Sequence, residues 1–452
     1  MTKASRGSLI NFLFSWRGSI GRGPYALTGT ILIFVKWNLD RILGAGFFNQ
    51  PWPIRYIFPH ENFLGLKADE RTIVALLAAT SLPFIYVGLV LTFKRLRSAG
   101  LPFWLVLLFF VPFLNLLFFL LLCTFPERVG ELPGVEARKT SVLDNWVPRN
   151  LLACAALAVV LWAGPALLGI YIFHDYGWGL FLGIPFGLGF VSAMLFGWHN
   201  PSTIRNGLLS AFIATSLGLG LLFFSAIEGL ICILMALPIV CPLALLGGIL
   251  GSLIKSGRAK SMCVLFSGTV FLMGFEHLEN HRPPTYAVVS TIDVDAPPST
   301  VWKNVVTFSD LPEVQDWLFK TGIAYPIHAK IQGEGVGAQR YCVFSTGPFV
   351  EPITVWDEPR ELRFGVTSQP APMQEWTFYT HIHPPHLDQS FRAEEGQFLL
   401  EPLPEGGTRL HGTTWYHNDL WPASYWKIWS DFIIHRIHLR VLNHVKALSE
   451  ET

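Results

Sequence analysis

Near the end of the chain, Asp431, His435 and His438 stand at i, i+4 and i+7. On a helix that spacing puts all three on one face. A carboxylate and two imidazoles so placed can hold a transition metal, or can form a base whose imidazole the carboxylate orients. They equally suit packing polarity, with His435 paired to Asp431 one turn away. A second set lies in the run HIHPPH, with His381, His383 and His386. Alternate residues of an extended segment point the same way, so His381 and His383 can chelate, alone or with His435 and His438. Against that, Pro384 and Pro385 suit a stiff loop lid. Neither set has the fixed spacing of a known metal motif. The expectation is therefore a site without a cofactor, zinc being the ion to fit if one is held. Glu228 is the one charge in the apolar stretch 207–254. It is either an intramembrane functional group or part of a turn between two spans.

The element that must position the C-terminal residues is the stretch from Tyr425 to Ala447. Tyr425, Trp429, Phe432, Ile433, Ile437, Val441 and Val445 recur there at helical spacing, with no Pro or Gly between them. Twenty-three residues make a helix of about 35 Å. That is too long for one neighbouring helix to cover and suits a curved sheet. Upstream, residues 285–296 read as a strand, 298–308 as a helix and 311–320 as a second short helix. Strand patterns follow at 325–332, 338–345, 350–356, 361–368, 396–402 and 408–417. Glu405-Gly406-Gly407 forms the turn between the last two. Trp356, Trp376, Phe378, Trp415, Tyr416, Trp426 and Trp429 supply aromatic surface for a core or for a flat, apolar ligand. Arg340 and Tyr416, in strands, are the polar groups that would orient it. The candidate ligand-binding set is Arg340, Trp376, Trp415, Tyr416, Trp429, Asp431, His435 and His438.

The rest of the chain has a different composition. Of 452 residues, 51% are hydrophobic and 14% charged, where soluble domains run near a quarter charged. Residues 1–275 carry 20 Lys+Arg against 10 Asp+Glu, and residues 276–452 carry 13 against 22. A basic membrane part is joined to an acidic soluble part. The acidic part is a poor match for nucleic acid, whose phosphates call for Lys and Arg. Five of the six cysteines lie in or beside apolar runs, and Cys342 is alone in the soluble part, so that part has no internal disulfide. No cleaved signal peptide is read at the N-terminus. Apolar segments run from 25 to 48, 72 to 93, 101 to 125, 151 to 173, 178 to 198, 207 to 225 and 229 to 254, with 261–275 shorter. Seven or eight crossings are expected, in a cytoplasmic (inner) membrane. Loop charges do not fix the orientation. Counting 101–125 or 229–254 as a re-entrant hairpin moves the soluble part from one side to the other.

Two stretches carry resemblances. FSWRGSIGRGPY at 14–25 and FKRLRSAGLPFWLVLLFFVPF at 93–113 resemble the small bacterial membrane family called domain of unknown function 805. Gly18, Ile20, Arg22, Tyr25, Arg95, Leu96, Trp104 and Pro112 fit its pattern. Trp16, Ser19, Ala26 and Arg97-Ser98 depart from it. The resemblance covers about residues 10–130 and implies architecture without an activity. VVSTIDVDAPPSTVWKNVVTFSDLPEV, followed by the strands and the long helix, resembles the START-like superfamily that includes polyketide cyclases (SRPBCC). Ala296, Pro297, Pro298, Val301 and Trp302 lie on its pattern. It implies a sheet closed around the last helix with a cavity for an apolar ligand.

The expected layout is a membrane domain at 1–130, a linker at 131–150, a second membrane bundle at 151–275 and an α+β helix-grip domain at 276–452. The expected function is a membrane-anchored binding module for a lipid, isoprenoid or aromatic small molecule, more a binder than an enzyme. One alternative is a cyclase or hydrolase with His435 or His438 as base. Another is a transporter regulated by the soluble domain, which requires Glu228 to face a polar cavity within the membrane. No P-loop and no HExxH is present, and GFVSAM and FSTG lack the glycines of a nucleophile elbow.

Overall fold

The computed structural model describes residues 10–48, 68–110, 114–124, 146–174, 176–278, 284–379, 382, 384–404 and 406–451. His381, His383, Pro112 and Glu405 lie outside them. The chain forms two compact units, residues 1–218 with 238–279 and residues 219–237 with 280–452.

In the first unit, α1 (Arg22–Phe48) and α2 (Ala68–Ala99) are followed by a 3-10 turn at Phe103–Phe110 and by α3 (Leu114–Thr124). Then come α4 (Leu151–Leu167), α5 (Ile184–His199), α6 (Ile204–Phe224), α7 (Leu230–Leu253) and α8 (Arg258–Leu278). π-helical turns extend α4 to Phe173 and open α5 at Gly179. Among the described residues, six helices are long and apolar enough to cross a membrane: 75–99, 151–173, 179–199, 204–224, 230–253 and 258–278. This is a multi-pass membrane protein. Within the apolar run 101–125 the described residues form a 3-10 helix of 8 residues and α3 of 11 residues. Neither reaches the roughly 20 residues a crossing needs. The short candidate at 261–275 gains its length from both flanks. α7 runs unbroken through Pro238 and Pro242, so the hairpin reading of 229–254 is set aside.

The glycines of α7 allow its neighbours to come close. A Cβ on Gly247 would lie 2.0 Å from the Phe186 carbonyl oxygen, and one on Gly189 would lie 1.9 Å from that of Ala244. Helices in an apolar medium associate through such small-residue contacts. Gly189→Ala is expected to cost about 1–3 kcal/mol, since backbone cannot yield as a side chain can. A lowered melting temperature of the full chain in mild detergent checks it. An unchanged one would mean that α5 and α7 stand further apart.

The residues behind the first resemblance meet as a lock between the N-terminal stretch and α2. Arg95, fully buried, donates from Nε to the Leu122 carbonyl (2.9 Å) and from its guanidinium to Ser98 Oγ (2.7 Å). Ser98 Oγ donates to the Ile20 carbonyl (2.6 Å), and Arg97 donates to the carbonyls of Trp16 (3.1 Å) and Gly18 (2.5 Å). Tyr25 and Thr92 share a buried hydrogen bond of 3.3 Å. These cations satisfy backbone acceptors, the requirement for polar groups away from water.

The second unit is an antiparallel sheet of seven strands wrapped on one helix. The strands are β1 (Thr285–Val294), β2 (Pro326–Gln332), β3 (Gln339–Phe344), β4 (Gly347–Asp357), β5 (Glu361–Gly365), β6 (Phe391–Pro402) and β7 (Thr408–Asn418). Their order is β1-β7-β6-β5-β4-β3-β2. α9 (Pro298–Val306) and the single turn α10 (Trp317–Lys320) cross between β1 and β2, and the short α11 (His386–Gln389) precedes β6. α12 (Ala423–Glu450) closes the domain at 28 residues, about 42 Å. β1 alternates strictly from Thr285 to Ser290, exposed then buried, so Tyr286, Val288 and Ser290 face inward. Three apolar clusters fill the interior among the described residues: one of Ile231, Leu318, Phe319 and Ile323 near α10, and two along the sheet. Of these two, one gathers Val294, Trp302, Leu362, Leu400, Leu410 and Leu442, the other Tyr286, Val288, Tyr416 and Ile434. This is the α+β helix-grip fold expected from the order of elements. Residues 219–237, the end of α6 and the start of α7, group with this unit.

Candidate functional site

Between the two apolar clusters along the sheet lies a polar constellation on β1, β7 and α12. Ser290 Oγ, 2% exposed, is 2.7 Å from His435 Nδ1 and 3.0 Å from His438 Nδ1. Thr414 Oγ1 is 2.7 Å from His438 Nε2. A hydroxyl has one hydrogen to give and lone pairs to receive, so Ser290 donates to one imidazole and accepts from the other. Both nitrogens of His438 are engaged, whereas His435 is exposed and its Nε2 makes no hydrogen bond among the described residues. Burial pushes the His438 pKa down to about 4, with the neighbouring His435 adding to the effect. A neutral His438 is thus held at physiological pH, beside a serine hydroxyl.

The pairing of Asp431 with His435 is not found. Asp431 accepts the Tyr416 hydroxyl through Oδ1 at 2.6 Å and forms an ion pair with Lys427 through Oδ2. The i−4 lysine and a tyrosine from the sheet outcompete the i+4 histidine, whose ring turns to Ser290. Tyr416 is fully buried, and desolvation raises its pKa, with Asp431 adding to the shift. His435 Nδ1 and both nitrogens of His438 turn to hydroxyls, while Asp431 turns to Tyr416 and Lys427.

Arg340 is inside the sheet, 1% exposed, as an ion pair with Glu351. Its Nε donates to the Val306 carbonyl at 3.3 Å, and its guanidinium lies 5.1 Å from the Phe364 ring centre. Trp415 faces the other way, with Arg363 4.7 Å over its ring. Trp376 is exposed, and its carbonyl accepts the Leu230 N–H at 3.0 Å. Trp429 is half-buried, and the tryptophan that α12 buries is Trp426 (5% exposed), with Nε1 donating to the Trp421 carbonyl at 3.3 Å. Trp426→Phe is expected to cost about 1–2 kcal/mol, from lost volume and the lost Nε1 hydrogen bond, and Trp429→Phe less than about 0.5. Urea titration followed by pulse proteolysis ranks them, and equal losses would refute the assignment.

Glu228 lies in the link between α6 and α7, so it belongs to a turn. It is 9% exposed, and its Oε1 is 3.5 Å from His386 Nδ1. The aromatic run 376–379 packs on this segment, with the Phe378 ring 6.0 Å from that of Phe224 and the Tyr379 hydroxyl donating to the Phe224 carbonyl at 2.6 Å. Ser290, Thr414, Glu351, Cys232 and Glu375 were not singled out by the sequence. For Ser290 the signal was present, a hydroxyl at an inward position of an alternating strand. An open groove of about 390 Å³ lies elsewhere on the domain, between residues 311–319 and α12, bordered by Asp316, Arg436, Arg440 and His444.

Residues 13–133 match the family described as protein of unknown function (DUF805). No curated protein matches the chain. Among solved structures, truncated norcoclaurine synthase from Thalictrum flavum is similar at 13% identity, covering 38% of this chain and 99% of its own, with a TM-score of 0.26. The Aha1 dimer from Colwellia psychrerythraea is similar at 14% identity, covering 36% and 96%, with a TM-score of 0.22. Protein CV1439 from Chromobacterium violaceum is similar at 15% identity over 36% and 96%, also with a TM-score of 0.22. Residues 13–133 thus carry the DUF805 pattern, and the C-terminal domain is a seven-stranded antiparallel sheet closed on one long helix.

Proposed function

We propose that this protein is a membrane-anchored binding module of a cytoplasmic (inner) membrane. It takes a lipid, an isoprenoid or an aromatic small molecule against the inner face of the sheet beside α12, for sensing, sequestration or transfer. The observation that carries this reading is the Ser290–His435–His438–Thr414 constellation set between two apolar clusters. A few convergent polar groups on an apolar lining are what orient such ligands. His435 is exposed and keeps Nε2 for a ligand oxygen. Access from the bilayer is supported by connectivity. Two candidate spans, α7 and α8, separate Gly229 from Thr285, so the chain returns to the side where the 225–229 link lies. The transporter reading loses its premise, because Glu228 is in that link and not at mid-span.

The test is native mass spectrometry of the full chain released from mild detergent, with organic extraction of the same sample. An apolar molecule is expected at up to one per chain, with occupancy reduced about tenfold in His435→Leu, roughly the loss of one good hydrogen bond to an imidazole. Wild-type chain with no bound molecule, and none taken up from added lipid extract, would sink the proposal. A second reading is favoured by one contact, the 2.7 Å approach of Ser290 Oγ to His435 Nδ1 beside a neutral His438. That is the layout of a base-activated hydroxyl. Covalent labelling of Ser290 by a fluorophosphonate, abolished in His435→Leu, would select it.

A further inference from the structure

We infer that Glu228, Cys232 and His386 form a binding site for one divalent transition-metal ion, of the borderline-to-soft class that zinc represents. Cys232 Sγ is 3.1 Å from His386 Nε2, and His386 Nδ1 is 3.5 Å from Glu228 Oε1. One donor atom from each of the three lies within 4.8 Å of the others. Ligands bonded to one tetrahedral zinc at about 2.0–2.3 Å stand about 3.3–3.7 Å apart. The two contacts above use opposite nitrogens of the imidazole and an ion takes one of them, so the Cys232 or the Glu228 side chain must swing toward the chosen nitrogen, within the 4.8 Å that spans the three donors. Glu228 and His386 are both 9% exposed, which removes water as the competing partner.

Charge decides what the site takes. Glu228 Oε2 is buried with no hydrogen-bond partner among the described residues. A second carboxylate, Glu375, is 8% exposed and accepts the backbone N–H groups of Ile231 (3.0 Å) and Cys232 (3.1 Å). Among the described residues no Lys or Arg forms an ion pair with either glutamate. Two buried carboxylates with a thiol and an imidazole call for a cation. The sulfur donors select its class. Met373 Sδ lies 3.9 Å from Cys232 Sγ, and thiolate with imidazole favours zinc-like ions over magnesium or calcium. The same three residues also have the order of a thiol–imidazole–carboxylate relay. That use is disfavoured here, because Glu375 occupies the N–H groups that would steady an oxyanion and adds negative charge beside it. Gly229 is part of the construction, since a Cβ there would lie 2.1 Å from Glu375 Oε2. A bound ion would pin the first turn of α7 to the 373–386 segment of the helix-grip domain.

The test uses the full chain in mild detergent, kept reduced by a phosphine and stripped with a chelator. Cobalt(II) is titrated in, then displaced by zinc(II). One equivalent of cobalt is expected, with a thiolate charge-transfer band that is lost in Cys232→Ser and in His386→Ala. Glu375→Gln, acting through the backbone of Cys232, is expected to weaken binding about 10–100-fold. Cys241→Ser, one helical face away on α7, should keep the band. A wild-type chain without the band overturns the inference, as does a band that survives Cys232→Ser or disappears with Cys241→Ser. Zinc X-ray absorption of the wild type guards against a variant that fails to fold. A single Zn–S path near about 2.3 Å supports the site, and none refutes it.

Discussion

Arg340→Met should destabilise the helix-grip domain by about 3–5 kcal/mol, the usual consequence of removing one partner of a buried ion pair. Arg340 and Glu351 face each other across β3 and β4, at 1% and 6% exposure. The guanidinium is also enclosed by aromatic rings, with Phe308, Phe364 and Phe398 at 5.6, 5.1 and 5.6 Å. Its departure leaves a carboxylate in an apolar core. Desolvation already pushes the Glu351 pKa up, against the opposing pull of Arg340. Without the arginine that carboxylate must take a proton or open the sheet to water. Replacing both residues, Arg340→Met with Glu351→Leu, should recover most of the loss, because the desolvation penalty disappears with the charges. Pulse proteolysis of the full chain across a urea series measures all three. A single variant that loses less than about 1 kcal/mol would show the pair to be hydrated. The same series separates this role from ligand contact. If Arg340 is a core ion pair, the double variant keeps its bound apolar molecule.

The long helix shows how far sequence carries and where it stops. The apolar spacing from Tyr425 to Val445, free of Pro and Gly, gives α12 and its need for a curved sheet, and the structure extends it only to Ala423 and Glu450. The strands were legible for the same reason, as a periodicity of two is local. The partners of polar side chains were not. Asp431 and His435 satisfy the i, i+4 rule, yet Tyr416 and Ser290, from strands far away in sequence, hold them apart. A helix rule ranks neighbours on the helix and knows nothing of the sheet. Residue type alone makes Trp376 and Trp415 candidate cavity aromatics. Strand parity places Trp415 opposite Tyr416, and the Trp376 backbone serves as an acceptor for the start of α7. The Glu228, Cys232 and His386 cluster is least visible of all, since 154 residues separate Cys232 from His386 and no spacing rule spans that distance.

Acid should weaken this protein through His438 in a defined window. The ordinary imidazole value is 6.5 and the folded value is about 4, because burial disfavours the charged ring and His435 stands beside it. The unfolded chain therefore binds the proton first. Stability from this residue is complete above about pH 6.5 and is lost as the pH falls through the window toward 4, the loss reaching about 3 kcal/mol. The groups that face the ring explain why it resists protonation. Ser290 and Thr414 are neutral, and His435 shares the same serine oxygen. The nearest carboxylate on the helix face, Asp431, is already held by Lys427 and the Tyr416 hydroxyl. Carboxylates elsewhere titrate in the same range, so the measurement is a difference. Urea midpoints of wild type and His438→Gln are followed from pH 7.5 to pH 4. Glutamine is expected to cost stability at pH 7.5, where the neutral network is intact, and the two curves should converge as the wild type loses its advantage. Parallel curves would mean that His438 titrates alike in the folded and unfolded chain, with Ser290 and Thr414 open to water.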